Sequence, residues 1–134
     1  MREIKVRGKQ KESGDWLYID FSEADTLRYF AKMDKNTIGQ YTGMKDKHGN
    51  EIWEGDIVRS ISNWGDFGKI GEVVFDKGKF MLDTHDDFFG GKYRYKEFVE
   101  KEEWDDFKAQ MEVKFEYEVI GNKFDNIELL EERK

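Results

Sequence analysis

The sequence predicts a mainly β fold with minor helix. Three observations carry this. Short runs of apolar residues alternate with polar ones along most of the chain. Between them stand clusters of Gly, Asn and Asp, with 13 Gly and no Pro in 134 residues. The chain is also rich in large rings, with 4 Trp, 6 Tyr and 11 Phe, enough to anchor a core although charged residues reach 40% and apolar residues only 37%. The length is that of one domain with two small lobes, the first over about residues 1–42 and the second over about 43–134.

The elements follow in order. Ile4 and Val6 alternate with Lys5 and Arg7 in a first strand, Lys9 to Asp15 turns, and Leu17, Ile19 and Phe21 alternate with Trp16, Tyr18 and Asp20 in a second. A strand carrying Trp16 and Tyr18 on its second face needs a cover there, from a helix or a neighbouring subunit. Ser22-Glu-Ala-Asp25 predicts a helix start, with Leu27, Phe30 and Ala31 on one face and fraying by Asp34 to Asn36. A strand over 37–41 leads into a turn built on Asp46, Gly49 and Asn50. Ile52 and Trp53 resume the apolar pattern, and Glu54-Gly55-Asp56 turns into a β-branched strand over 57–61. Asn63 to Gly68 is a loop bearing Trp64 and Phe67, and strands over 69–75 and 80–82 flank a tight hairpin at Asp76 to Lys79. This run over 52–82 predicts a closed, strongly bent β-barrel of the SH3-like kind, with Gly71 inside a strand as the mark of a bend or bulge. Residues 83–95 are irregular, and 96–111 patterns as an acidic helix with Trp104, Phe107 and Met111 on one side. A strand over 113–119 ends at Gly121-Asn122, and a short helical tail over 126–131 lays Ile127 and Leu130 on the barrel.

Composition closes several function classes. With no Cys, the chain has no disulfide, thiolate nucleophile, Cys-bound zinc or iron–sulfur cluster. No apolar run is long enough to span a bilayer, and the start of the chain lacks the apolar stretch of a secretory signal. The expected location is the cytoplasm, without membrane association. Net charge is −7, but it is unevenly placed: ten Lys/Arg face eight Asp/Glu over residues 1–50, and thirteen face twenty-two over 51–134. Arg2, Lys5, Arg7, Lys9 and Lys11 form a basic rim against Glu3 alone. Such a rim on an acidic body suits an intersubunit contact or a local anionic partner better than general phosphate binding, which the body repels.

Candidate chemistry is sparse. Asp83, His85 and Asp87 place one imidazole among carboxylates, the donor types of a divalent-metal hydrolase, but they sit in a predicted loop where solvated acids are ordinary. Asp46 to Asn50 resembles a calcium loop, yet its Gly is at the fourth position and Ile57 stands where a bidentate Glu belongs, so it is a turn. Asp66-Phe67-Gly68 lacks the other motifs of a kinase. Lys45, Trp53, Arg59, Trp64 and Phe67 form the candidate binding set: a stacking platform for single-stranded nucleic acid if exposed, core or contact residues if not. No catalytic residue, metal or cofactor is expected. The leading expectation is a non-enzymatic protein that self-associates and binds a protein partner. Nucleic-acid binding is the alternative, and a metal-dependent hydrolase the third.

Four blocks carry a resemblance. Met1 to Arg7, Gln40 to Val58, Gly71-Glu-Val-Val-Phe75, and Tyr117 to Asn122 with Asn126 to Leu130 together resemble the YopX family of small bacteriophage and prophage proteins. Within or beside them, Tyr41, Gly43, Gly49, Gly55, Asp56, Gly71 and Gly121 are the framework positions. The resemblance implies a β-rich two-part fold with an SH3-like barrel, homo-oligomeric assembly, a phage or host protein as partner, and no catalytic residue.

Overall fold

The computed structural model describes residues 4–22, 26–62, 69–85, 90, 94–98, 101–103 and 112–131. The fold is mainly β, in two antiparallel sheets. The first contains β1 (Lys5–Lys9), β2 (Trp16–Asp20), β3 (Gly39–Lys45) and β4 (Glu51–Trp53), in the order β2-β1-β3-β4. The second contains β5 (Asp56–Ser62), β6 (Lys69–Asp76), β7 (Lys79–Asp83), β8 (Tyr95–Glu97), β9 (Lys101–Glu103) and β10 (Glu112–Asn122), in the order β8-β7-β6-β5-β10-β9. Two short helices, α1 (Thr26–Phe30) and α2 (Glu128–Glu131), and a 3-10 turn over Lys35–Thr37 complete the described elements.

The predicted barrel does not close. Residues 52–53 belong to the first sheet and 56–83 to the second, and the second stays open with β8 and β9 at its edges. The 42/43 division falls inside β3, and the first sheet runs on to Trp53. The chain passes between sheets at Glu54-Gly55, where Gly55 takes φ +93°, a left-handed backbone that glycine adopts without a Cβ clash. The Gly55 N–H donates to the Val73 carbonyl at 2.8 Å, and its own carbonyl accepts from Lys123 N–H at 2.9 Å. The turn is thereby tied to β6 on one side and to the end of β10 on the other.

Two cores result. In the first lobe, Val6, Ile19 and Met33 are buried, with Leu17, Phe30 and Ile38 against them. In the second, Ile52, Val58, Val73 and Leu82 are buried, with Met44, Phe80, Phe98, Tyr117 and Val119 around them. Each fully buried aliphatic side chain contributes about 1.5–3 kcal/mol of gross transfer stabilisation. Met44 and Ile52 sit on the first sheet yet pack in the second core, so the β3–β4 hairpin joins the first sheet to that core. Its turn is pinned by Asp46, whose carboxylate accepts from His48 N–H at 2.9 Å, Asn50 N–H at 2.8 Å and, on β10, Val119 N–H at 3.0 Å. The Asp46 to Asn50 loop is thus a turn held by the Asp46 carboxylate.

The segment 96–111 departs from the helical expectation: its described parts are strands, β8 pairing Leu82 with Lys96 and β9 pairing Val113 with Glu102. Backbone pairing at the two sheet edges outweighs a helical side-chain pattern there. Residues 99–100 and 104–111, with Trp104, Phe107 and Met111, lie outside the described residues, as does the predicted helix start at 23–25. The tail forms only one turn, with Leu130 half-buried and Ile127 exposed.

Gly71 is needed for a reason other than a bulge. The β5–β6 register runs through it without a shift, and the irregularity lies instead in β10 between Val119 and Gly121. A Cβ on Gly71 would stand 2.7 Å from both the Asp83 carbonyl oxygen and Leu82 Cγ. Gly71→Ala therefore overpacks the β6–β7 contact and is expected to cost about 1–3 kcal/mol, read as a lowered urea midpoint; an unchanged midpoint contradicts the close approach.

Candidate functional site

The basic rim of β1 meets its anionic partner within the same chain. Period-two spacing puts Lys5, Arg7 and Lys9 on one face. Lys5 Nζ lies 2.5 Å from Glu51 Oε2, Arg7 Nη2 2.6 Å from Asp56 Oδ1, and Lys9 pairs with Asp125. All three acids belong to the acidic part of the chain. Rings fill the spaces between them. The Arg7 guanidinium lies 4.5 Å from the Trp16 ring centre and 5.5 Å from that of Trp53. Trp53 also meets Tyr18 at 5.4 Å and Tyr41 at 5.3 Å, while Trp16 meets Phe124 at 5.9 Å.

Arg7 and Asp56 are 6% and 2% exposed. Asp56 Oδ2 accepts the Trp53 backbone N–H at 2.7 Å, which fixes the turn before β5. Burial pushes the Asp56 carboxyl above its ordinary range, and Arg7 with the Trp53 N–H offsets only part of that rise. Arg7 Nε has no hydrogen-bond partner among the described residues. Asp56 thus caps the turn that starts β5 and also forms a buried ion pair between the sheets.

Of the candidate binding set, Lys45, Trp53 and Arg59 are among the described residues. Trp53 is 4% exposed, so it is no stacking platform; its ring is committed to Arg7, Tyr18 and Tyr41. Lys45 is exposed and pairs across the hairpin with Glu51. Arg59 lies on β5 with Nη1 3.9 Å from Glu118 Oε1. Trp64 and Phe67 lie outside the described residues.

A second cluster sits where β6, β7 and the end of β10 meet. His85 Nε2 lies 3.3 Å from Glu72 Oε1 and 3.4 Å from Asp83 Oδ2, and one donor atom from each of the three falls within 4.8 Å of the others. Asp83 and His85 are thus brought together as the sequence suggests, with Glu72 of β6 as third member; Asp87 lies outside the described residues. Both acids already hold cations. Arg94 donates Nε to Asp83 Oδ1 at 2.8 Å and Nη2 to Oδ2 at 3.0 Å, and Lys123 Nζ lies 3.4 Å from Glu72 Oε2. A divalent cation entering here competes with two built-in positive charges. Burial raises the Asp83 carboxyl, but the Arg94 fork and the His85 N–H outweigh it and hold it below the ordinary range.

The YopX protein family matches residues 2–131 of the 134-residue chain. The chain belongs to the YopX family. A search of curated proteins finds no match. The blocks that carry the YopX resemblance have structural work to do. Gln40 to Val58 supplies the β3–β4 hairpin, Asp46 and the Gly55-Asp56 crossing. Tyr41 is buried beside Trp53, and Gly43 and Gly49 take φ +85° and +83° in the hairpin. A Cβ on Gly121 would meet Asn126 Oδ1 at 2.7 Å, where the chain folds back toward α2. Sequence reasoning missed Glu72, Arg94, Lys123, Phe124 and Asp125; the alternate Lys5, Arg7 and Lys9 were the one signal that acids would face them.

Arg7→Ala leaves the Asp56 charge buried without its counter-ion, an expected loss of about 3–5 kcal/mol in urea unfolding. The double variant Arg7→Ala with Asp56→Ala loses less than the sum of the two single changes, because it leaves no lone buried charge. Additive losses would contradict the pairing.

Acid stability follows from the same groups. Asp46, Asp83 and Asp125 are lowered from the ordinary 3.8, so their contribution is present above that value and lost as pH falls through their folded values. Asp56, raised, works in the opposite sense: its contribution is present at lower pH and weakens as pH rises through its folded value. With Asp20 lowered as well by its hydrogen bonds from Ser22, four groups against one give a urea midpoint that declines below about pH 4. Asp83→Asn flattens that decline, and an unchanged slope contradicts the assignment.

Proposed function

We propose that the chain is a non-enzymatic, phage- or prophage-encoded protein that self-associates and acts in the bacterial cytoplasm by binding a protein partner. The observation that carries this reading is the apolar surface of the first lobe: Leu27 is 84% exposed, Ile4 64% and Phe21 42%. Ile4 and Phe21 lie opposite each other at the open end of the β1–β2 hairpin, where Phe21 N–H donates to the Ile4 carbonyl at 3.0 Å. The exposed Phe21 ring lies 5.9 Å from Phe30, and Leu27 precedes Phe30 by one helical turn on α1. Grouped apolar side chains of this kind mark contact surfaces on soluble proteins.

The β1 cations are committed internally, so apolar contact is what the surface around Ile4, Phe21 and Leu27 offers. The phage origin rests on YopX membership. The nucleic-acid alternative is weakened by the burial of Trp53 and by Glu118 beside Arg59, in an acidic second lobe that repels phosphate.

The test is a molar-mass measurement by light scattering with affinity capture from phage-infected cells. A mass above the 16.0 kDa of one chain is expected, with a retained phage or host protein that Leu27→Glu releases while the melting temperature holds. A monomer that retains nothing overturns the reading.

A further inference from the structure

We infer that self-association runs through β2, which pairs antiparallel with β2 of a second copy across a two-fold axis at Tyr18. This rests on the self-association proposed above and names its route.

The backbone decides which groups are free. Phe21 N–H donates to the Ile4 carbonyl and Gln10 N–H to the Asp15 carbonyl. The continuous β1–β2 register pairs Val6 with Ile19 and Gly8 with Leu17. Residues 15, 17, 19 and 21 therefore turn their backbone groups toward β1. Trp16, Tyr18 and Asp20 turn theirs outward, along an edge that no other described strand covers. An exposed alternating row of N–H and C=O groups is a ready template for another strand.

The other sheet edges are blunted. β4, β8 and β9 are three residues each, and their sequences EIW, YKE and KEE carry charge. β2 is five residues long, reads WLYID, contains no Lys, and keeps its register without a bulge. Apart from Asp20 at its end, it lacks the devices by which monomeric sheets protect an edge.

The same strand is complementary to itself. Centred on Tyr18, antiparallel pairing sets Tyr18 against the partner's Tyr18 and Trp16 against the partner's Asp20, so every outward N–H and C=O finds its counterpart. Leu17 then lies beside the partner's Ile19 on the face of the Val6–Ile19–Met33 core, extending that core across the axis. Asp20, the only charge on the strand, does not meet its own copy. An isologous contact of this kind closes at two chains and joins two four-stranded sheets into one of eight.

Three variants at one position test it, each with a thermal melt to check folding. Tyr18→Lys brings two like charges together on the axis. Tyr18→Pro removes an outward N–H that β1 does not use. Wild type is expected at twice the 16.0 kDa chain mass or a multiple of it, and both variants at half the wild-type mass or less at equal concentration. Tyr18→Cys reads geometry directly in a chain without cysteine. Residues facing across a hydrogen-bonded antiparallel pair stand about 5.5 Å apart at Cα, inside the disulfide range. Mild oxidation should link Tyr18→Cys into covalent dimers and leave the exposed Lys35→Cys unlinked. A wild type at single-chain mass overturns this proposal and the self-association reading together. A multimeric wild type whose folded Tyr18→Lys keeps that mass, with Tyr18→Cys unlinked, overturns the β2 route and leaves self-association standing on another surface.

Discussion

The contact on which the two sheets depend is the guanidinium of Arg7 set against Asp56 between the rings of Trp16 and Trp53. Removing both charges from water carries a desolvation cost that their attraction offsets only when geometry is good. Here the 2.6 Å contact, the Trp53 N–H on the second carboxylate oxygen and the ring faces supply that geometry. The pair therefore contributes mainly to uniqueness of packing. A sheet placed one residue out of register would turn Arg7 away from Asp56 and leave a buried charge without its counter-ion. Lys5 with Glu51 and Lys9 with Asp125, more exposed and more screened, align the flanks of the same strand.

The β3–β4 hairpin turns this one contact into a two-lobed fold. Its short return strand sends Ile52 into the second core and Trp53 onto the Arg7 face, so adjacent side chains serve opposite sides of one sheet. Gly55 and Asp56 follow at once, making the crossing and the counter-ion in two consecutive residues. The family match over nearly the whole chain accords with a framework whose parts are spread from β1 to β10.

Local pattern made much of this legible. Alternation located β1, β2, β5, β6, β7 and β10, and Gly, Asn and Asp located the turns, because both signals are set by a residue's immediate neighbours. Closure of a sheet is not such a property. The run over 52–82 reads like a bent barrel because each hairpin in it is correct; where its ends go is decided by pairing with β10 and β3, far off in sequence. The acidic stretch at 96–103 reads as helix from its spacing, yet Lys96 and Glu102 lie in edge strands held by neighbours the pattern does not mention. Trp53 was ambiguous for the same reason: a ring beside cations reads equally as platform or core until the cation is found to be Arg7. In the His85 cluster, Asp83 was visible in sequence, whereas Glu72 and Arg94 arrive from other strands.

The pairs Lys9–Asp125 and Trp16–Phe124 join points more than a hundred residues apart. The β1–β2 hairpin is made before residues 124 and 125, so its cationic and indole-bearing face lacks those counterparts until they follow. Long-range closure of this kind slows folding and leaves unfinished surfaces open to wrong associations. The residues after Gly121 thus act as a latch that closes over β1 and β2.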